Sequence, residues 1–149
     1  MNEGKKRIKV YDWKGSIINN ISLPKSCPVF SVNLHNFIWI GSEKTIFLYD
    51  PKTLQLVGSF EAHQHDIVSI LTVSENIVWT ACSDGEICIW EVEGASFKTL
   101  GRRLEQSGQT IRALSLWGKN RILSNATDHI LFWDALVSKI KKKIDFIWF

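Results

Sequence analysis

The stretch Asn76-Ile-Val-Trp-Thr-Ala-Cys-Ser-Asp-Gly-Glu-Ile-Cys-Ile-Trp-Glu91 decides how this chain folds. Two short apolar runs, one around Ile77, Val78 and Trp79 and one around Ile87, Ile89 and Trp90, flank the polar segment Ser83-Asp-Gly-Glu86. Runs of this length, rich in Ile, Val and Trp and interrupted by Asp-Gly, are a strand–turn–strand signal. The second run ends in an aromatic residue followed by an acid, and that ending returns in Ile8-Lys-Val-Tyr11-Asp12, Ile46-Phe-Leu-Tyr49-Asp50 and Ile130-Leu-Phe-Trp133-Asp134. The aromatic positions are 38, 41 and 43 residues apart. The first run has counterparts in Asn36-Phe-Ile-Trp39 and, more loosely, Asn120-Arg-Ile-Leu123. Upstream lies a third set, Val29-Phe-Ser-Val32, Ile67-Val-Ser-Ile70 and Ile111-Arg-Ala-Leu114. Apolar residues return 10 or 11 positions after each aromatic, at Ile21, Phe60, Leu100 and Ile144.

Four short strands in about 40 residues is the period of a β-propeller blade. No stretch carries a sustained helical period, so the expectation is an all-β chain with no helix longer than two turns. The phasing predicts a single incomplete β-propeller over residues 1–149: a half blade at 1–23, then four-stranded antiparallel blades at 27–61, 62–104 and 105–149. Closed propellers carry roughly four to eight blades. The chain is therefore expected to be part of a longer propeller protein. Two copies would begin with the same half blade, so simple dimeric closure fails by phase. The open blade faces are expected to promote self-association, because each repeat buries its surface only against a neighbour.

These repeats resemble the WD-repeat family. Ala62-His63 stands where that family usually has Gly-His, Asp84-Gly85 stands in its expected turn, and Trp90-Glu91 takes the place of Trp-Asp. Trp133-Asp134 matches the signature dipeptide outright. The resemblance covers essentially the whole chain, but only the unit at 62–104 has the full set. The unit at 27–61 has Lys25 near the place of the His, and the unit at 105–149 has no His near Ser107. In the family, four side chains tie a blade together by hydrogen bonds, and the resemblance implies His63, Thr80, Asp84 and Trp90 for that role. Asp84 would accept from one imidazole nitrogen, while the other faces Thr80, whose hydroxyl faces the indole N–H. Each buried polar group is then satisfied. For the two strands, the expected register places Thr80 opposite Trp90 and Cys82 opposite Cys88, with Asp84-Gly85-Glu86 as a three-residue loop. Opposed β-carbons would then lie about 4.5–5.5 Å apart.

Composition narrows the function classes. The chain has 149 residues with 45% apolar and 22% charged, seven Trp and eight Phe, which suits one folded domain with a substantial core. Its net charge of +3 is concentrated in the ends, and residues 12–138 carry a net charge of −3. No nucleic-acid partner is expected from that balance. The basic run Lys141, Lys142 and Lys143 could give weak contact with an anionic membrane surface, although lysines also protect the outer edge of a sheet. No apolar run approaches the ~18 residues of a transmembrane helix. Cys27, Cys82 and Cys88 form no CxxC pair and no even disulfide set, which fits a reducing cytoplasmic location with free thiols.

His65, Cys82, Cys88 and His129 lack the short ligand spacing of a zinc motif, so the expectation is no metal, two half-buried strand thiols and surface imidazoles. No Gly-rich phosphate loop, paired-carboxylate motif or HExxH occurs, so no cofactor and no catalysis are expected. The expected function is a non-catalytic protein–protein interaction scaffold. Its contacts would lie on loops at 24–28, 42–45, 63–66, 83–86, 105–110 and 126–129, with Lys25, Lys44, His65, Asp66, Ser83, Glu105 and His129 as candidate partner-binding residues. The alternative is the regulatory propeller of a signalling enzyme. The Trp-bearing strands also resemble those of propellers attached to Rho guanine-nucleotide exchange factors and inositol-polyphosphate phosphatases.

Overall fold

The computed structural model describes residues 7–22, 29–32, 37–93, 96–105, 110–134 and 139–145. These residues form fourteen strands and no helix. Strands β1 (Arg7–Tyr11) and β2 (Ile17–Ser22) make a two-stranded half blade. The first full blade is β3 (Val29–Val32), β4 (Ile38–Ser42), β5 (Thr45–Tyr49) and β6 (Leu56–Glu61). The second is β7 (Ile67–Thr72), β8 (Ile77–Cys82), β9 (Glu86–Glu93) and β10 (Ser96–Glu105). The third is β11 (Ala113–Leu116), β12 (Arg121–Asn125), β13 (His129–Asp134) and β14 (Lys139–Asp145). Each full blade is an antiparallel meander in sequence order. The first strands of successive blades adjoin one another, β3 beside β7 and β7 beside β11. The molecule is a partial β-propeller of four-stranded antiparallel blades.

Strand alternation explains why one blade needs two neighbours. In β8, Val78 faces the first blade while Trp79 and Ala81 face the third. In β9, Cys88, Trp90 and Val92 face the first blade, and Ile87 and Ile89 face the third. The first interface joins Phe37, Trp39, Ile46 and Leu48 to Ile67, Ile70 and Val78, with Trp39 tilted against Trp90 at 6.4 Å between ring centroids. The second repeats that pattern, with Trp79 set edge-on to Trp133 at 6.3 Å. Burying a side chain of this size contributes roughly 2–3 kcal/mol. The half blade closes the opposite face of the first blade, where Ile21 meets Ile40 and Tyr49. Gly41 is needed at the first interface, because a β-carbon there would stand 2.9 Å from Ile67 Cγ2.

The aromatic that ends a third strand coincides with a register shift against the fourth at Val10/Tyr11, Leu48/Tyr49 and Phe132/Trp133. In the second blade the shift falls between Thr99 and Arg103, opposite the span from Trp90 to Cys88. Each bulge twists the outer strand away from its partner. No helix among the described residues is long and apolar enough to cross a membrane.

The register of the central hairpin differs from the expected one by two residues. Thr80 lies opposite Cys88, not Trp90, and Val78 is the residue opposite Trp90. Cys82 and Cys88 share a sheet face but are not opposed, since Ala81 pairs with Ile87 and the register sets Cys82 against Glu86. The loop is Ser83-Asp84-Gly85, with Gly85 at φ 96° in its last position. A three-residue hairpin loop needs a left-handed residue at that last position, and Gly supplies it without strain.

Candidate functional site

The second blade gathers its polar side chains on the face turned to the first blade. His63 sits just before β7 and is 2% exposed, and Thr80 is fully buried on β8. Trp90 Nε1 donates to Thr80 Oγ1 at 2.9 Å. Thr80 Oγ1 lies 2.7 Å from His63 Nε2, and His63 Nδ1 lies 2.9 Å from Glu86 Oε2. The donor directions follow from chemistry. The indole can only donate and the carboxylate can only accept. Nδ1 therefore carries the imidazole proton, and the Thr80 hydroxyl donates to Nε2. The diagonal offset between Thr80 and Trp90 suits the length of the indole side chain.

Asp84 is not the acceptor for His63; Glu86 is. Glu86 is the first residue of β9, where side-chain alternation aims it onto the same face as Cys88 and Trp90. Asp84 lies in the loop, where it accepts from the Cys82 thiol and, at 3.1 Å, from the Glu86 N–H. Burial and the Asp84 hydrogen bond push the Cys82 thiol up to about 12, so it is protonated at neutral pH. Burial acts to raise the Asp84 carboxyl. The Cys82 and Glu86 hydrogen bonds and the nearby His65 outweigh it and leave the carboxyl below its ordinary value.

A signal for Glu86 was present in the sequence. In a three-residue loop ending at Gly85, the next residue opens the strand on the face of Thr80.

The third blade keeps part of this arrangement. Trp133 Nε1 donates to Ser124 Oγ at 2.8 Å, and Ser124 is fully buried. His129 is 2% exposed, with its Nδ1 on Asp128 Oδ1. It is neither a surface imidazole nor an available loop contact. Cys82 and Cys88 are both buried, and neither is in a disulfide.

The loops around the second blade join into one surface. The Ala62 and His63 N–H groups both donate to Lys44 O, Ile67 N–H donates to Glu43 O, and Ser83 N–H donates to Asp66 O. His65 Nε2 faces Asp84 Oδ2 at 3.7 Å. Lys44, His65, Asp66 and Asp84 are exposed there, and Ser83 is half-buried. Lys25 and residues 24–28 lie outside the described residues. Glu105 ends β10 opposite Glu86, and Lys141, Lys142 and Lys143 lie on β14, with their side chains outside the described set.

No protein-family model matches the chain. No curated protein matches it either. Among solved structures, it is similar to a chain in the crystal structure of a mitotic checkpoint complex, with a TM-score of 0.75 and 15% sequence identity. The similarity covers 95% of this chain and 47% of that one. This chain thus spans about half the length of the structure it matches, and the likeness is one of fold.

Proposed function

We propose that this chain is a non-catalytic interaction module that holds a protein partner on the surface formed by the residue 43–44, 62–66 and 83–85 turns. The observation that carries this reading is the hydrogen-bonded continuity of those turns across two blades. They present Lys44, His65, Asp66 and Asp84 together, a mixed-charge surface suited to a protein rather than a polyanion. The polar groups behind them are engaged in holding the blade, as the Trp90–Thr80–His63–Glu86 chain illustrates. The structural neighbour comes from a multi-protein complex, which is consistent with a propeller used for assembly.

The test is quantitative capture and cross-linking of partners by the full chain, compared with Lys44→Glu and Asp66→Lys variants whose circular dichroism is unchanged. Partner recovery is expected to fall with both variants, with cross-links concentrated at the three turns. Equal recovery by the wild type and both variants would overturn the assignment of this surface.

A further inference from the structure

The three full blades place different residues at equivalent hairpin positions. Aligning the strand pairs on Tyr49, Trp90 and Trp133 makes Cys82, Glu86 and Cys88 equivalent to Ser42, Thr45 and Phe47 in the first blade. In the third blade the same positions hold Ala126, His129 and Leu131. The scaffold therefore accepts small, aliphatic or aromatic side chains at these places. Two thiols and a carboxylate are peculiar to the second blade, and only there does His63 stand beside them.

The ligand atoms His63 Nδ1, Cys82 Sγ and Glu86 Oε2 all lie within 4.8 Å of one another. Nδ1 to Oε2 is 2.9 Å and Cys82 Sγ to Oε2 is 4.0 Å. The second thiol, Cys88 Sγ, is 3.9 Å from Nδ1. Ligand atoms around a tetrahedral zinc ion are separated by about 3.3–3.8 Å, so the three atoms need shifts of only about 1 Å. We propose that His63, Cys82 and Glu86 form a three-ligand binding site for a borderline-soft divalent cation, with Zn²⁺ the best fit and Cys88, which lies beside Nδ1 but outside the three-residue group, moving in as the fourth ligand.

The donor set argues for that class of ion. Thiolate and imidazole select zinc over magnesium or calcium, which prefer oxygen-only sites. The surroundings supply orientation. Thr80 accepts from Nε2–H once Nδ1 binds the ion, which fixes the ring as outer-shell partners of metal-bound histidines do. The proton balance closes. Each thiol loses its proton, the imidazole proton moves from Nδ1 to Nε2 through exchange with solvent, and two protons are released per ion. Disulfide formation is the competing use of two thiols. The diagonal register separates the two residues by about 7–8 Å, with their β-carbons somewhat closer, still beyond the ~3.5–4.5 Å that a disulfide allows.

The experiment is titration of the full chain with Co²⁺ under reducing conditions, followed by displacement with Zn²⁺. One equivalent of Co²⁺ should give tetrahedral visible bands and a near-ultraviolet thiolate-to-cobalt band. That near-ultraviolet band should drop about twofold with Cys82→Ser and with Cys88→Ser, as expected for two thiolate ligands. Absence of a thiolate band, or a band indifferent to both variants, would overturn the proposal. A measurement on the wild type covers the case in which the variants fail to fold. Zn²⁺ should slow alkylation of Cys82 and Cys88 by roughly tenfold or more through stabilisation of the folded state. Chelator should reverse this, and Mg²⁺ should not reproduce it. Equal alkylation of Cys82 with Zn²⁺ and with chelator would also overturn the proposal.

Discussion

The second and third blades share a hairpin geometry but use it differently. Both align a buried indole with a hydroxyl on the neighbouring strand, Trp90 with Thr80 and Trp133 with Ser124, and neither hydroxyl is exposed. In the second blade the hydroxyl passes the bond on to His63 and Glu86. In the third, the position equivalent to Glu86 holds His129, which turns to its neighbour Asp128 instead. The indole–hydroxyl tie thus recurs, and in the second blade it continues through an imidazole to a carboxylate. The extension reaches from the blade interior to the loop, so it couples the strand register to the turn that presents His65, Asp66 and Asp84.

Thr80→Val should have the largest effect. It leaves the shape nearly unchanged but removes the group that both accepts from Trp90 and donates to His63. Two buried polar atoms then lose a partner, at roughly 3–5 kcal/mol in total. Urea denaturation of the full chain measures it. A cost below that of Ser124→Ala would break the claimed difference between the blades.

Glu86→Ala comes next, at about 2–3 kcal/mol, because the His63 N–H is fully buried and loses its carboxylate acceptor. Glu86→Gln retains a carbonyl acceptor and should recover about half of that loss.

Ser124→Ala should cost about 1–2 kcal/mol from the indole N–H that it leaves unpaired. The molecule already tolerates that condition, because Trp39 Nε1 and Trp79 Nε1 are buried with no hydrogen-bond partner. Those two indoles are held by ring packing against the next blade. A loss as large as that of Thr80→Val would mean that the short tie alone carries the stability.

The strand pattern was legible because aromatic–acid endings and Asp-Gly turns recur at blade spacing, and alternation fixes which side chains share a face. That parity placed Thr80, Cys82, Cys88 and Trp90 on one face. It could not fix the register, because a shift of two residues preserves every face. The deciding feature is the loop: Gly85 occupies its last position and not its middle. Once the register moved by two, Glu86 entered the strand and took the acceptor role that the family resemblance had assigned to Asp84. The burial of His129 was hidden for a related reason. A short polar turn reads as surface, yet its last residue already begins β13.

Asp84→Asn gives the smallest and most conditional effect. Asp84 stands at the rim, with its side chain 38% exposed, and its carboxylate holds the Cys82 thiol and the Glu86 N–H from outside the buried chain. Asparagine keeps one carbonyl acceptor, so the loss at neutral pH should be below about 1 kcal/mol. Its pH dependence identifies the cause. Burial raises the Asp84 carboxyl, but the Cys82 and Glu86 hydrogen bonds and His65 leave it lower than in the unfolded chain. A carboxyl depressed by folding stabilises above its unfolded value near ~3.9 and loses that contribution as pH falls through its folded value. The stability gap between wild type and Asp84→Asn should therefore be open at about pH 5 and close in more acidic solution. A gap that persists unchanged at pH ~2, below the range in which aspartates ordinarily titrate, would show that Asp84 acts through loop shape. Its charge would then not be what separates this turn from the shorter one at Thr127-Asp128.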